Sequence, residues 1–252
     1  MELSCETTGY LPAGDMAAEL VRIRERYARR RDGPPQVARS ILAPEVILRH
    51  QERERAILYF LRRYAPRPIH QLCVLEIGCG FGGNLLQFLR WGCMPDHLVA
   101  NELLEERWQI ARRLLPAETA VRPGDASQLD LPTASFDIVF QSTVFSSILN
   151  PQFRQHLAEK MWHWVAPHGG VLWYDMRYNN PRNPDVRRIS LEEIRRLFPE
   201  GVIHAKSITL APPIARRVAR GGVLLYTLLA SIPWLRTHWL CWIGKGESIK
   251  KG

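Results

Sequence analysis

The sequence predicts an α/β fold: a doubly wound, mostly parallel seven-stranded sheet with an N-terminal helical cap and a helical insertion between strands six and seven. Three observations predict it. From Leu72 onward, short apolar runs alternate with longer amphipathic stretches, the pattern of repeated β-α units. The first apolar run ends in glycines that turn directly into a helix. At 252 residues, 46% of them hydrophobic, the chain can bury one substantial core and is short for two full domains.

The elements follow in order. Two helices are expected at Met16–Arg31 and Glu45–Tyr64, separated by the breaker Gly33-Pro34-Pro35. Residues 1–70 read as the cap and residues 71–252 as the sheet domain, with 211–236 inserted. Strands are expected at Leu72–Ile77, Leu98–Asn101, Ala120–Arg122, Phe136–Phe140, Val171–Tyr174, Val202–Leu210 and His238–Ile243. Between them, Asn84–Trp91 follows the glycines as a helix. In Pro151–Val165 the apolar Phe153, Leu157, Met161, Trp164 and Val165 recur at helical spacing. Ser190, with Glu193 three residues on, reads as a capping box opening another helix.

Cys5, Cys73, Cys79, Cys93 and Cys241 are odd in number and form no Cys-x-x-Cys pair, so neither a disulfide framework nor a zinc site is expected. His163 and His168 merely flank a helix end, and no metal is expected. The first 20 residues hold acids, prolines and glycines and no continuous apolar run, which makes the cytoplasm the expected location. The net charge of +9 suits an anionic partner without saying which. Residues 22–31, RIRERYARRR, set six arginines against Glu25, either as a solvated helix face or as an anion-facing surface. Residues 49–63 interleave arginines with Glu52 and Glu54, as a solvated face does.

The strongest chemical signal is Val74-Leu75-Glu76-Ile77-Gly78-Cys79-Gly80-Phe81-Gly82-Gly83-Asn84. Glycines let the backbone turn tightly and approach a ligand, and the helix N-terminus behind them offers free N–H groups. A nucleotide-type cofactor is implied, although dinucleotide-binding domains use a similar loop. Acids also end the next two strands, in Asn101-Glu102 and in Gly124-Asp125-Ala126.

With these motifs in their order, followed by Phe136-Asp137-Ile138-Val139-Phe140 and Pro167-His168-Gly169-Gly170-Val171-Leu172, the chain resembles the class I S-adenosylmethionine (SAM)-dependent methyltransferases over about residues 70–175. The resemblance implies a Rossmann-like sheet with SAM as cofactor. It implies cofactor binding by Glu76, Gly78, Cys79, Gly80, Gly82, Asn84, Glu102, Leu103, Asp125, Ala126, Gln141 and Ser142. Glu102 would take the ribose hydroxyls, and Asp125 with the next N–H the adenine. Cys79 would contribute only its backbone.

The acceptor should lie at the carboxyl ends of strands four and five, where open α/β sheets bind ligands. Gln141-Ser142-Thr143 ends the fourth, and the polar run from Asp175 through Asn183-Pro184, with Arg182 inside it, ends the fifth. Asp175 and Tyr178 are expected to handle the acceptor's proton and Arg177 to orient it, with His50 or Tyr27 as the next candidates. No Asn-Pro-Pro-Tyr or Asp-Pro-Pro-Tyr follows strand four and no RNA-binding module is evident, so a nucleic-acid partner is not expected.

More loosely, the tail resembles bacterial methyltransferases associated with surface polysaccharides and specialised metabolites, which implies O-methylation of a sugar, glycan or related small molecule. C- or N-methylation of an isoprenoid, lipid or small amine is the rival within enzymes, and a non-catalytic SAM-binding partner protein the rival outside them. The apolar run Val223–Leu235 behind Arg216, Arg217 and Arg220 is too short to span a bilayer. It reads as a helix over the acceptor pocket or, within 213–236, as a peripheral membrane contact.

Overall fold

Apolar runs without alternation are what a central parallel strand needs, because helices cover both of its faces. Such runs form the middle of a single sheet in the computed structural model, which describes residues 13–32, 41–181 and 183–246; Cys5, the Gly33-Pro34-Pro35 breaker and Arg182 lie outside these. The strands are β1 (Val74–Ile77), β2 (Leu98–Glu102), β3 (Ala120–Pro123), β4 (Phe136–Ser142), β5 (Val165–Met176), β6 (Val202–Leu210) and β7 (Arg236–Gly244). Their order is β3-β2-β1-β4-β5-β7-β6. The first five run parallel, and β7 runs antiparallel between β5 and β6. All seven expected strands are present. β5 starts earlier than expected because Val165 pairs with Phe136 across a register shift before the main ladder begins at Gly170.

The helices are α1 (Ala13–Asp32), α2 (Pro44–Tyr64), α3 (Gly83–Arg90), α4 (Glu105–Leu114), α5 (Pro151–Trp164), α6 (Leu191–Leu197), α7 (Pro212–Val218) and α8 (Val223–Ala230). On one face Ile57 and Phe60 of α2, Leu85 and Phe88 of α3 and Ala111 of α4 pack on Val74, Ile138, Phe140, Leu172 and Leu240. On the other, Ile23 of α1, Phe153 and Met161 of α5 and Ile194 of α6 pack on Leu75, Val139, Val171, Trp173 and Cys241. Successive strand residues thus feed opposite layers, as the pleat requires. The two helices read as one cap contribute to opposite layers.

Local capping explains several starts. The Asn150 side chain accepts from the Phe153 N–H at 2.8 Å, with Pro151 in the first turn of α5. Ser190 Oγ accepts from the Glu193 N–H at 3.1 Å. Glu193 does not complete the reciprocal half of the box, because its carboxylate takes Arg187 at 3.0 Å and the fully buried Arg154 at 3.1 Å. Between β6 and β7, α7 and α8 form the expected insertion and pack through Ala215, Ala219, Tyr226 and Ala230 on Leu48 and Leu210.

Candidate active site

The strand order reverses between β1 and β4, and a cavity of about 270 Å³ opens at their carboxyl ends. Its floor is the turn from β1 into α3. Gly78 has φ +65°, and a Cβ there would stand 2.6 Å from Val144 Cγ2, so only glycine fits beneath the segment that follows β4. Gly80 has φ +58° and faces open space, which leaves its backbone accessible to a ligand. Behind the turn, Asn84 Nδ2 donates to Glu76 Oε1 at 2.5 Å. Glu76 is fully buried and its Oε2 has no partner. Burial pushes its pKa up to about 7, against the pull of the Asn84 bond and the Arg53 charge.

Glu102, at the end of β2, ties this floor together. Its Oε2 accepts from the Gly80 N–H at 2.8 Å and its Oε1 from the Leu104 N–H at 2.9 Å. An ionised carboxylate offers about four acceptor positions, so two remain for vicinal hydroxyls. Asp125 accepts from Ser127 N and Oγ at 2.9 and 2.7 Å, which fixes the turn presenting Ala126 to the cavity. Asn101 Nδ2 holds that turn from below by donating to the carbonyls of Arg122 and Gly124.

Of the cofactor residues expected from sequence, Gly78, Cys79, Gly80, Asn84, Glu102, Leu103, Asp125, Ala126 and Ser142 line the cavity. The other three stand behind it. Glu76 acts through Asn84, Gly82 (φ +84°) caps α3 against Leu115, and Gln141 Oε1 accepts from the Val144 N–H at 3.1 Å.

The cavity's roof is formed by Leu20, Ile23 and Tyr27 of α1, of which only Tyr27 is named from the sequence. Their spacing of three and four was the available signal, hidden by the arginines around it. Glu19 anchors the helix by accepting from Arg26 at 2.7 Å, Arg22 at 3.1 Å and the Leu149 N–H at 2.9 Å. Burial works to raise the Glu19 pKa, but these bonds outweigh it and hold the carboxyl below its ordinary value. Arg26 also donates to the Ser147 carbonyl at 3.0 Å. Further along, Arg29 and Arg30 face Asp185, Arg31 pairs with Glu106, and Arg107 of α4 lies over the Tyr27 ring. Specific acids therefore engage much of the arginine run.

The structure does not bring Asp175, Arg177 and Tyr178 to the cavity. Asp175 is fully buried and does not line the cavity; its Oδ2 accepts from the Ser146 N–H at 3.1 Å and its Oδ1 from the Met176 N–H at 2.8 Å. Burial pushes its pKa up to about 6, with the Ser146 and Met176 bonds opposing. The turn Phe145–Ser147 folds over the end of β5 and occupies this carboxylate, which leaves it no path to a substrate proton. Arg177 donates to the Pro233 carbonyl at 2.7 Å and stands over the rings of Tyr178 and Trp239. The Tyr178 side chain is exposed. His50 is exposed on α2, and Tyr27 alone of the alternatives reaches the cavity, its hydroxyl 3.4 Å from Ser147 Oγ.

The carboxyl edge of β4 and β5 is occupied instead by Arg53 of α2. Its Nη2 donates to Asn84 Oδ1 at 2.9 Å and to Ser142 Oγ at 3.1 Å, both residues of the cavity wall. The guanidinium lies 4.5 Å above the Tyr174 ring. His238 of β7 stacks on the same ring at 4.7 Å, and the Tyr174 hydroxyl meets Thr209 Oγ1 at 2.8 Å. Burial first, then the charges of Arg53 and Arg49, push the His238 pKa down to about 3, so the ring stays neutral. Thr143 (φ +59°) and Thr209 (φ +71°) are β-branched residues held in the left-handed region, at about 1–3 kcal/mol each, and such strain gathers at ligand-binding edges.

Comparison with known proteins agrees with this geometry. Residues 74–169, from the start of β1 into β5, match the family model described as a methyltransferase domain. A malonyl-[acyl-carrier protein] O-methyltransferase of Bacteroides fragilis is 41% identical over 66 residues, which cover 26% of this chain and only 13% of that relative's length. A solved protein of Pyrococcus horikoshii shares the fold at 12% identity, with a TM-score of 0.58 over 82% of this chain and 94% of its own. SAM-dependent methyltransferases of Archaeoglobus fulgidus (15% identity, TM-score 0.54, 79% of this chain, 98% of that one) and Mesorhizobium loti (16%, 0.53, 81% and 98%) share it too. The fold and the cavity define an α/β domain built to hold a nucleoside cofactor at its strand switch. Over residues 74–169 the chain matches a methyltransferase domain, its fold is shared with SAM-dependent methyltransferases, and SAM is the cofactor that this match implies. The cavity wall fits that group: a doubly anchored carboxylate with acceptor positions left for the ribose, and an open glycine backbone.

Proposed function

We propose that this chain O-methylates a sugar, glycan or related small molecule, with the acceptor oxygen held at the carboxyl ends of β4 and β5 by Arg53. The position of that guanidinium carries the reading. It touches Ser142 and Asn84 in the cavity wall, and its Nε is buried without a partner. A desolvated N–H lacking an acceptor is a ready donor to a substrate oxygen, and a guanidinium suits oxygen anions in particular. The bound cofactor supplies a methyl group already activated by its sulfonium charge. What remains for the chain is to align the acceptor and stabilise charge on its oxygen. The same positive edge disfavours amine acceptors, which arrive protonated in neutral solution and meet Arg49 and Arg53.

One observation favours a second reading, a carboxylate as acceptor. Asp175 is sealed and His238 is held far below ordinary basicity, so neither is suited to take a hydroxyl proton. A carboxylate has no proton to remove. The B. fragilis relative is, by its name, an O-methyltransferase.

The test offers methyl-labelled SAM with sugars, nucleotide sugars, carboxylic acids and amines, followed by mild alkali. Label retained on a sugar marks an ether, and label released as methanol marks an ester. Transfer to amines alone overturns both oxygen readings. Tight cofactor binding with no transfer to any acceptor leaves the role of a SAM-binding partner protein.

A further inference from the structure

From Gly201 to Lys245 the chain contains no aspartate or glutamate, while it contains Lys206, Arg216, Arg217, Arg220, Arg236 and Lys245. Its most outlying part is the insertion between β6 and β7. There α7 and α8 spend their small and aromatic residues, Ala215, Ala219, Tyr226 and Ala230, on packing. The opposite side of α8 and the turn after it are apolar and open: Val223 is 63% exposed, Leu224 75%, Leu228 58% and Trp234 72%. A solvated helix carries charge on its outward face, and this one carries none. The cations stand beside it, with Arg217 and Arg220 exposed at the end of α7 and the turn that follows.

We propose that α8 and Trp234 lie in the interface of an anionic lipid surface, with Arg217 and Arg220 meeting the headgroups. Large aliphatic side chains enter the acyl boundary, tryptophan prefers the interface, and neighbouring arginines add attraction to anionic lipid. The element lies flat. At about 1.5 Å per residue, α8 is roughly 12 Å long against about 30 Å of hydrocarbon, and no helix among the described residues is long and apolar enough to cross a membrane. A second copy is the poorer occupant, because two acid-free cationic segments of a chain with net charge +9 would face one another. The insertion is also tied to the acceptor edge, through the Arg177 bond to the Pro233 carbonyl and the Tyr226 hydroxyl on Glu52. Docking of this kind does not depend on which acceptor is methylated.

The test is co-sedimentation of the full chain with phosphatidylcholine vesicles, alone or with about one-third phosphatidylglycerol, at low and high salt. Binding is expected only to the anionic vesicles and to fall with salt. The double variants Leu224→Glu with Leu228→Glu, and Arg217→Glu with Arg220→Glu, replace exposed side chains. Each is expected to weaken partition by roughly tenfold or more while leaving melting temperature and cofactor affinity unchanged. No pelleting with anionic vesicles at low salt overturns the proposal, as does equal pelleting of the parent and both variants. A concentration-dependent dimer that Leu224→Glu with Leu228→Glu abolishes assigns the patch to a second copy instead.

Discussion

Glu102→Ala removes one carboxylate and with it two kinds of contact. The bonds from the Gly80 and Leu104 N–H groups, at 2.8 and 2.9 Å, hold the glycine turn against the end of β2. Hydrogen bonds to a charged group contribute about 1.5–3 kcal/mol each, and less where the freed N–H can rehydrate at a cavity wall. Loss of this ordering should cost about 1–2 kcal/mol of binding, and loss of a charged partner for the ribose hydroxyls about as much again. The sum, about 2–4 kcal/mol, is a rise of about 30- to 700-fold in the Kd for the demethylated cofactor, at roughly 1.4 kcal/mol per decade. Glu102→Gln preserves volume and one acceptor oxygen, so it should recover part of the loss. Calorimetric titration needs no acceptor, and hydrogen exchange at Gly80 reads the loop directly. If Glu102→Ala keeps its fold and binds within about threefold of the parent, Glu102 neither orders the turn nor meets the ribose.

Other perturbations probe the supports. Gly78→Ala drives a Cβ to within 2.6 Å of Val144 Cγ2 in a left-handed backbone, which should lower the melting temperature and cofactor affinity together; Val144→Ala should relieve part of the defect in a double-mutant cycle. Arg26→Met leaves Glu19 buried with one partial cation partner, at a cost of about 2–4 kcal/mol in denaturant unfolding, and it should speed tryptic cleavage of α1. Asp175 has a folded pKa near 6, above its ordinary value of 3.8. The folded state therefore holds that proton more tightly, and the associated stability is full below about pH 4 and lost as pH rises through about 6. In urea titrations the parent should lose stability relative to Asp175→Asn as pH rises across that window, and a constant difference would contradict the burial argument. Because Asp175 and Tyr178 stand outside the cavity, Asp175→Asn and Tyr178→Phe should each change single-turnover methyl transfer by less than about tenfold.

The strands were readable because local chemistry decides them. β1 and β4 are buried on nearly every residue and show it as runs that are apolar apart from Glu76 in β1 and Asp137, Gln141 and Ser142 in β4. Part of the cavity wall was readable for a related reason: Gly78, Glu102 and Asp125 stand where a strand ends, so the fold itself marks these short segments. Two things were not local. The early start of β5 depends on Val165 meeting Phe136 across the sheet, and the place of β7 between β5 and β6 is a choice of partner that no hydrophobic run records. The polar run after β5 misled for the opposite reason, since Asp175 satisfies backbone groups of a turn that arrives from β4.

Arg53 shows what signal remained in the sequence. It sits among arginines that read as a solvated face, yet it shares a helical stripe with Val46, Ile57 and Phe60, all of them buried. Glu19 and Arg26 stand likewise in the stripe of Leu20, Ile23 and Tyr27, and both are buried. A charge out of phase with the apolar stripe can solvate itself at no cost. A charge in phase is carried into the protein and requires a partner there. Glu19 and Arg26 found each other and thereby fixed α1 over the cavity. Arg53 found only neutral acceptors, Asn84 and Ser142, and kept a buried N–H unpaired. An in-phase cation without a carboxylate of its own is where an oxygen-bearing ligand has most to offer the protein.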